Sequence, residues 1–142
     1  MSRLAEQEQD RAKFAYEQVQ KNCEAGGGRE GKLAGDYRQR VVGLPAMIQQ
    51  CGLGQTMAFV KSKAKEKDHE PLNGYAMALT DLERWLERFD YAKGKDGVLK
   101  ALMDGDSRRY RMATTEAFAY LQWLKRFAEA AIEKPERESE RD

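Results

Sequence analysis

A chain of 142 residues is long enough for one hydrophobic core. Its 41% apolar and 35% charged residues suit a helical protein with charged outer faces, and a net charge of +1 confines any attraction for nucleic acid to local patches. No apolar run approaches the length of a bilayer span and the opening "MSRLAEQEQD" holds no apolar segment, so the expectation is a cytoplasmic protein without membrane contact. Cys23 and Cys51, without metal-ligand spacing, are expected to be reduced core thiols.

Scarce β-branched residues and three prolines argue against strands, and three-four spacing runs along the chain instead. Ser2 is a candidate N-cap for a first helix whose apolar line is Ala5, Ala12, Ala15, Val19 and Cys23. "AGGGREG", residues 25–31, breaks it and is expected to be a linker. Leu33, Tyr37, Val41, Leu44, Ile48 and Cys51 predict a second helix, with a kink or short break at Gly43 and Pro45. Gly52 is expected to end it as a left-handed cap. Leu53, Met57, Val60 and Ala64 predict the third helix, closed by the charged run "KSKAKEKDHEP".

The fourth helix is the most regular, with Tyr75, Leu79, Leu82, Leu86 and Phe89 in four-three alternation, and "KGKDG" closes it. A short fifth carries Val98, Leu99, Leu102 and Met103. The sixth and longest carries Tyr110, Ala113, Ala117, Leu121, Leu124, Ala128 and Ala131. The expected architecture is all-α, a single-domain bundle of five to six antiparallel helices over residues 1–132, followed by a charged, disordered tail over 133–142. Met57, Met77, Met103 and Met112 are expected to fill gaps in the core.

Most of the motifs for chemistry fail on their own terms. "GGGREGKL" has the glycine and lysine spacing of a phosphate-binding loop, but Leu33 stands where a magnesium ligand belongs and a helix precedes it. "DGDSRR" starts like a calcium loop at Asp104 and Asp106, but Arg108 and Arg109 follow where a ligand and the turn glycine belong; Asp106 or Ser107 as an N-cap accounts for it better. His69 has no companion ligand and is expected in a solvated loop. Asp81, Glu83, Glu87 and Asp90 are expected on the solvated face of the fourth helix. No catalytic residue, metal site or cofactor is assigned.

Two basic patches remain. "KSKAKEK" holds Lys61, Lys63, Lys65 and Lys67 against Glu66. On the sixth helix, a turn of about 100° per residue gathers Arg108, Arg111 and Arg126 opposite the apolar stripe, with Thr115 and Gln122 alongside and Lys125 at the edge. Such a face suits a phosphate backbone, and equally a solubilising surface. Tyr120, Trp123 and Phe127 form a second apolar flank, pointing to the core or to a subunit contact.

Three stretches together carry a family resemblance: "LPAMIQQCGLGQTMAFVKSK" (44–63), "LERWLERF" (82–89) and "YRMATTEAFAYLQWLKRFAEA" (110–130). They resemble the small helical subunit of type III-B CRISPR effector complexes, the Cmr assemblies that use a guide RNA to find a complementary transcript. The glycine-rich loop and the tail fall outside the resemblance. It implies a non-catalytic subunit, not an enzyme, stacked in several copies beside other Cmr subunits and along guide and target RNA. The basic residues inside the matched stretches are Lys61, Lys63, Arg111, Lys125 and Arg126, which the resemblance implies contact the RNA backbone. The alternative is a helical protein–protein adaptor without RNA contact.

Overall fold

Three-four spacing of apolar residues produces helices over most of the chain. A computed structural model describes residues 3–135. Among the described residues the helices are α1 (Arg3–Ala25), α2 (Lys32–Cys51), α3 (Leu53–Lys63), α4 (Gly74–Leu86), α5 (Val98–Asp104) and α6 (Ser107–Ala131). A small antiparallel hairpin, β1 (Glu66–Lys67) and β2 (Glu70–Pro71), separates α3 from α4, and a 3-10 turn over Asp90–Ala92 follows α4. The fold is all-α, as expected. Ser2 and the tail from residue 136 onward lie outside the described residues. No helix among the described residues is long and apolar enough to cross a membrane.

The predicted stripes meet in one core. α6 packs along α1 and α2, and α2 packs against α4. Val19, Tyr37, Val41, Leu53, Met57, Leu86, Leu121 and Leu124 are all buried there. Met57 and Met77 fill the core as expected, but Met103 and Met112 are 65% and 45% exposed. Each lies one residue, about 100° of helix, from an inward residue (Leu102, Ala113), so its side chain points outward. Cys23 is half-buried, while Cys51 is exposed because α2 ends there and Gly52 turns the chain into α3.

The glycine-rich segment is a built turn, not a loose linker. Gly28 N–H donates to Cys23 O (2.8 Å) and Gly27 N–H to Glu24 O (3.3 Å), closing α1 in a Schellman pattern with Gly27 at φ 100°. Ala34 N–H then donates to Gly26 O (3.0 Å), drawing the start of α2 onto the end of α1. A Cβ on Gly31 would strike Gly26 O, and one on Gly26 would strike the Ala34 backbone, so the close approach requires glycine at both places. α2 passes through Pro45 without a break. Gly52 has the positive φ expected of it, 85°, but an extended ψ of 164°, outside the left-handed helical region.

Two further departures have identifiable causes. The charged run after α3 folds back as a hairpin because Asp68 and His69 both take positive φ, 53° and 67°, the pair a type I′ turn needs. His69 is exposed at its tip. Asn73 holds the hairpin in place: its amide donates to Lys63 O (2.8 Å) while its Oδ1 accepts from Lys65 N–H (3.1 Å) and caps α4 at Ala76 N–H (3.0 Å). α4 stops at Leu86, earlier than its spacing predicts, and Phe89 turns extended.

Asp81 is the largest correction. Expected on a solvated face, it is 1% exposed and joins three helices. Asn22 of α1 donates to both of its oxygens at 3.0 Å, and the Tyr37 hydroxyl of α2 donates to Oδ2 at 2.5 Å. Burial pushes the Asp81 carboxyl up to about 7, against the pull of the Tyr37 and Asn22 hydrogen bonds. The folded chain therefore holds this proton more tightly than the unfolded chain does. Asp81's contribution to stability is fully present below its ordinary value of 3.8 and is lost as pH rises towards 7. Within that window the slope from this one group is at most about 1.4 kcal/mol per pH unit. In urea unfolding across that window, Asp81→Asn should gain stability relative to the parent chain as pH rises; parallel curves would refute the assignment.

Candidate nucleic-acid interface

A second buried carboxylate organises the surface next to α6. Glu116 is 5% exposed, yet its oxygens are fully engaged. Arg11 of α1 grips it twice, Nε to Oε2 at 2.6 Å and Nη2 to Oε1 at 2.9 Å. The Trp85 indole N–H of α4 donates to Oε2 at 2.9 Å, and the Gln7 amide reaches Oε1 at 3.4 Å. The Glu116 hydrogen bonds hold the Arg11 guanidinium above its ordinary range.

From Trp85, aromatic rings run outward. Trp85 stacks on buried Tyr120 (5.4 Å between ring centres, 14°) and meets Phe89 edge-on (5.5 Å, 73°). Phe89 in turn stacks on Tyr91 (5.2 Å, 15°). Burial, then the Glu116 charge, pushes the Tyr91 hydroxyl up to about 12. This pair lines a cleft of about 510 Å³ whose other wall is the start of α6, with Arg108, Arg111, Met112 and Thr115.

Asp106 fixes where α6 begins. Its side chain accepts from Arg109 N–H at 2.8 Å, which settles the expected cap on Asp106 and sets the azimuth of every following residue. Arg108, Arg111, Thr115, Gln122 and Arg126 are all exposed on the outer side, opposite buried Ala113, Leu121 and Leu124. Arg108 and Arg126 share an azimuth about 27 Å apart, and Arg111 lies about 60° off that line. Among the described residues Arg108, Arg111 and Lys125 have no carboxylate partner, whereas Arg126 makes a loose 3.5 Å pair with Glu129 on a side chain that is 73% exposed. Lys125 is half-buried.

Lys61 and Lys63 are exposed but belong to a different part of the surface. α3 touches α6 at its first turn, where Gly54 N–H donates to the Tyr110 hydroxyl at 2.7 Å, and the lysines sit at its other end. Lys61 lies near Glu83 of α4, and Lys63 faces the half-exposed Phe59 ring at 5.9 Å. The five predicted cations thus form two groups. Sequence reasoning passed over the Phe89–Tyr91 pair, because the spacing had placed Phe89 inside a helix.

The second apolar flank of α6 divides. Tyr120 belongs to the core, while Trp123 and Phe127 are half-buried and stacked on each other (5.5 Å, 25°), with exposed Tyr16 edge-on to Phe127 (5.4 Å, 85°). The Trp123 indole donates to Glu8 at 2.9 Å.

A family profile described as CRISPR-associated protein (Cas_Cmr5) matches residues 7–131. The chain belongs to this CRISPR-associated family. The match runs from α1 to the end of α6 and includes the glycine turn, which the three matched stretches had left outside. The chain is 36% identical over 123 residues to a CRISPR system Cmr subunit Cmr5 from Thermus thermophilus, covering 87% of this chain and 93% of that protein. A Cmr subunit Cmr5 from Thermotoga maritima is 35% identical over 107 residues, covering 73% of each. The crystal structure of a Cmr5 family protein, also from Thermus thermophilus, superposes with a TM-score of 0.66 at 28% identity, over 87% of this chain and 97% of that one.

For this Cas_Cmr5 chain the Glu116 cluster yields a direct test. Arg11→Ala leaves a buried carboxylate without its cation and should cost about 3–5 kcal/mol in chemical denaturation. An unchanged unfolding midpoint would refute that role for Arg11.

Proposed function

We propose that this chain is a non-catalytic small subunit of a type III-B CRISPR (Cmr) effector complex, stacked in several copies and holding guide and target RNA by the phosphate backbone through Lys61, Lys63, Arg111, Lys125 and Arg126. The observation that carries the reading is the outer face of α6. Arg111 and Arg126 are exposed there, half-buried Lys125 flanks them, and Arg111 and Lys125 lack carboxylate partners among the described residues. Arg126 is available too, because a 3.5 Å pair on so exposed a side chain contributes little.

The chemistry is electrostatic. Cations on a rigid helix meet phosphates without reading bases, so sequence choice falls to pairing between guide and target. Two observations support a role without catalysis: the buried carboxylates are committed elsewhere, Asp81 to Asn22 and Tyr37, Glu116 to Arg11 and Trp85. The exposed Tyr16 beside half-buried Trp123 and Phe127 supports a contact with neighbouring subunits or copies, since aromatic rings at a surface favour interfaces.

One copy offers few phosphate contacts, so the isolated chain should bind RNA weakly at physiological ionic strength, and stacked copies should add their contacts through effective concentration. The test reverses Lys61, Arg111 and Arg126 to Glu and reassembles the complex. Target affinity should fall alike for every guide, and the plot of log affinity against log salt should become shallower by about 0.7 for each phosphate no longer neutralised. Unchanged affinity and slope with assembly intact would favour the protein–protein adaptor.

A further inference from the structure

The cleft beside the 3-10 turn combines features that a backbone contact does not need. A point charge is enough to hold a phosphate. Here two arginines and a stacked aromatic pair line one open cleft of about 510 Å³. We infer that this cleft takes one nucleotide of single-stranded RNA, its base against the Phe89–Tyr91 pair and its phosphate between Arg108 and Arg111. The inference rests on the RNA reading above and adds a site for the base.

The negative groups nearby do not oppose it. Glu116 is among the lining residues, but it is 5% exposed and its oxygens are occupied by Trp85 and by Arg11, which also pairs with Glu8. Asp106 is engaged in capping α6. Asp90 does not line this cleft; with Arg109 it lines the adjoining hollow that shares Tyr91. Thr115 contributes a hydroxyl at the wall, a partner for a ribose 2′-hydroxyl. An acidic peptide would satisfy the arginines and leave the ring pair without an occupant, whereas a nucleotide uses both. Every base has a π-face, so the site should tolerate all four. Tyr91 is backed by Phe89, which is itself set edge-on against Trp85, so the platform is preformed.

The experiment uses the full chain at low ionic strength with a uridine oligonucleotide carrying 4-thiouridine, irradiated and mapped by mass spectrometry. Cross-links should fall on Phe89, Tyr91 or Met112. Tyr91→Ala should lower affinity about tenfold with no change of salt slope, because stacking displaces no counterions. Tyr91→Phe should bind like the parent. Arg108→Ala, at an exposed position that leaves the fold intact, should make the slope shallower by about 0.7. No binding at low salt, cross-links confined to other surfaces, or parent-like binding by both Tyr91→Ala and Arg108→Ala would each overturn the cleft. Lys61→Glu with Arg126→Glu, both outside the cleft, separates the two ideas in the assembled complex. A loss there with Tyr91→Ala silent keeps the backbone reading and removes the cleft, and no loss from either removes both.

Discussion

Glu116 sits inside the bundle as a carboxylate that α6 cannot satisfy alone. Arg11 reaches it from α1 with two nitrogens and Trp85 from α4 with its indole N–H, so one side chain ties three helices. A buried ion pair is a weak source of net stability, because desolvation offsets most of the attraction. Its effect here is geometric. The Trp85 hydrogen bond fixes the indole plane, Tyr120 stacks on one side, and Phe89 and Tyr91 follow outward. The surface cleft therefore inherits its shape from a hydrogen bond in the core.

Asp81 plays the matching part on the same face of α4, one turn before Trp85. It gathers α1 and α2 onto α4 through Asn22 and Tyr37, while Glu116 gathers α1 and α4 onto α6 through Arg11 and Trp85. Apolar stripes alone specify a register less sharply, since hydrophobic residues of about the right size can repack. Buried polar groups punish such slips, because a displaced carboxylate would be left unpaired in the core. The two carboxylates thus specify a register that hydrophobic spacing leaves loose.

That division explains what the sequence disclosed. Helix positions were legible because three-four spacing and glycine breaks are local signals, and Asp106 announced its cap from three residues away. The polar clusters were not, since Asn22 and Tyr37 lie 59 and 44 residues from Asp81, and Arg11 lies 105 from Glu116. A carboxylate on a charged helix looks solvated until its distant partner is placed. The glycine turn was misjudged for a related reason: adjacent glycines signal a break, but only the close approach of α1 and α2 shows that the break is rigid. At the candidate interface the α6 cations followed from periodicity, whereas Tyr91 depended on where α4 stopped.

α6 serves core and surface at once, and its periodicity keeps the two apart. Leu121 and Leu124 are fully buried, while Arg108, Arg111 and Arg126 recur on the far side of the same cylinder. Charge on that face can change with little penalty in the core, because no outer cation supports a buried group. Arg11 is the contrasting case: a cation of the same chemistry, turned inward and bound to Glu116, which the fold cannot spare. With a net charge of only +1, the chain has no long-range pull on RNA. Any grip must come from where its cations stand, and in α6 that is set by one cap at Asp106 and a constant turn per residue.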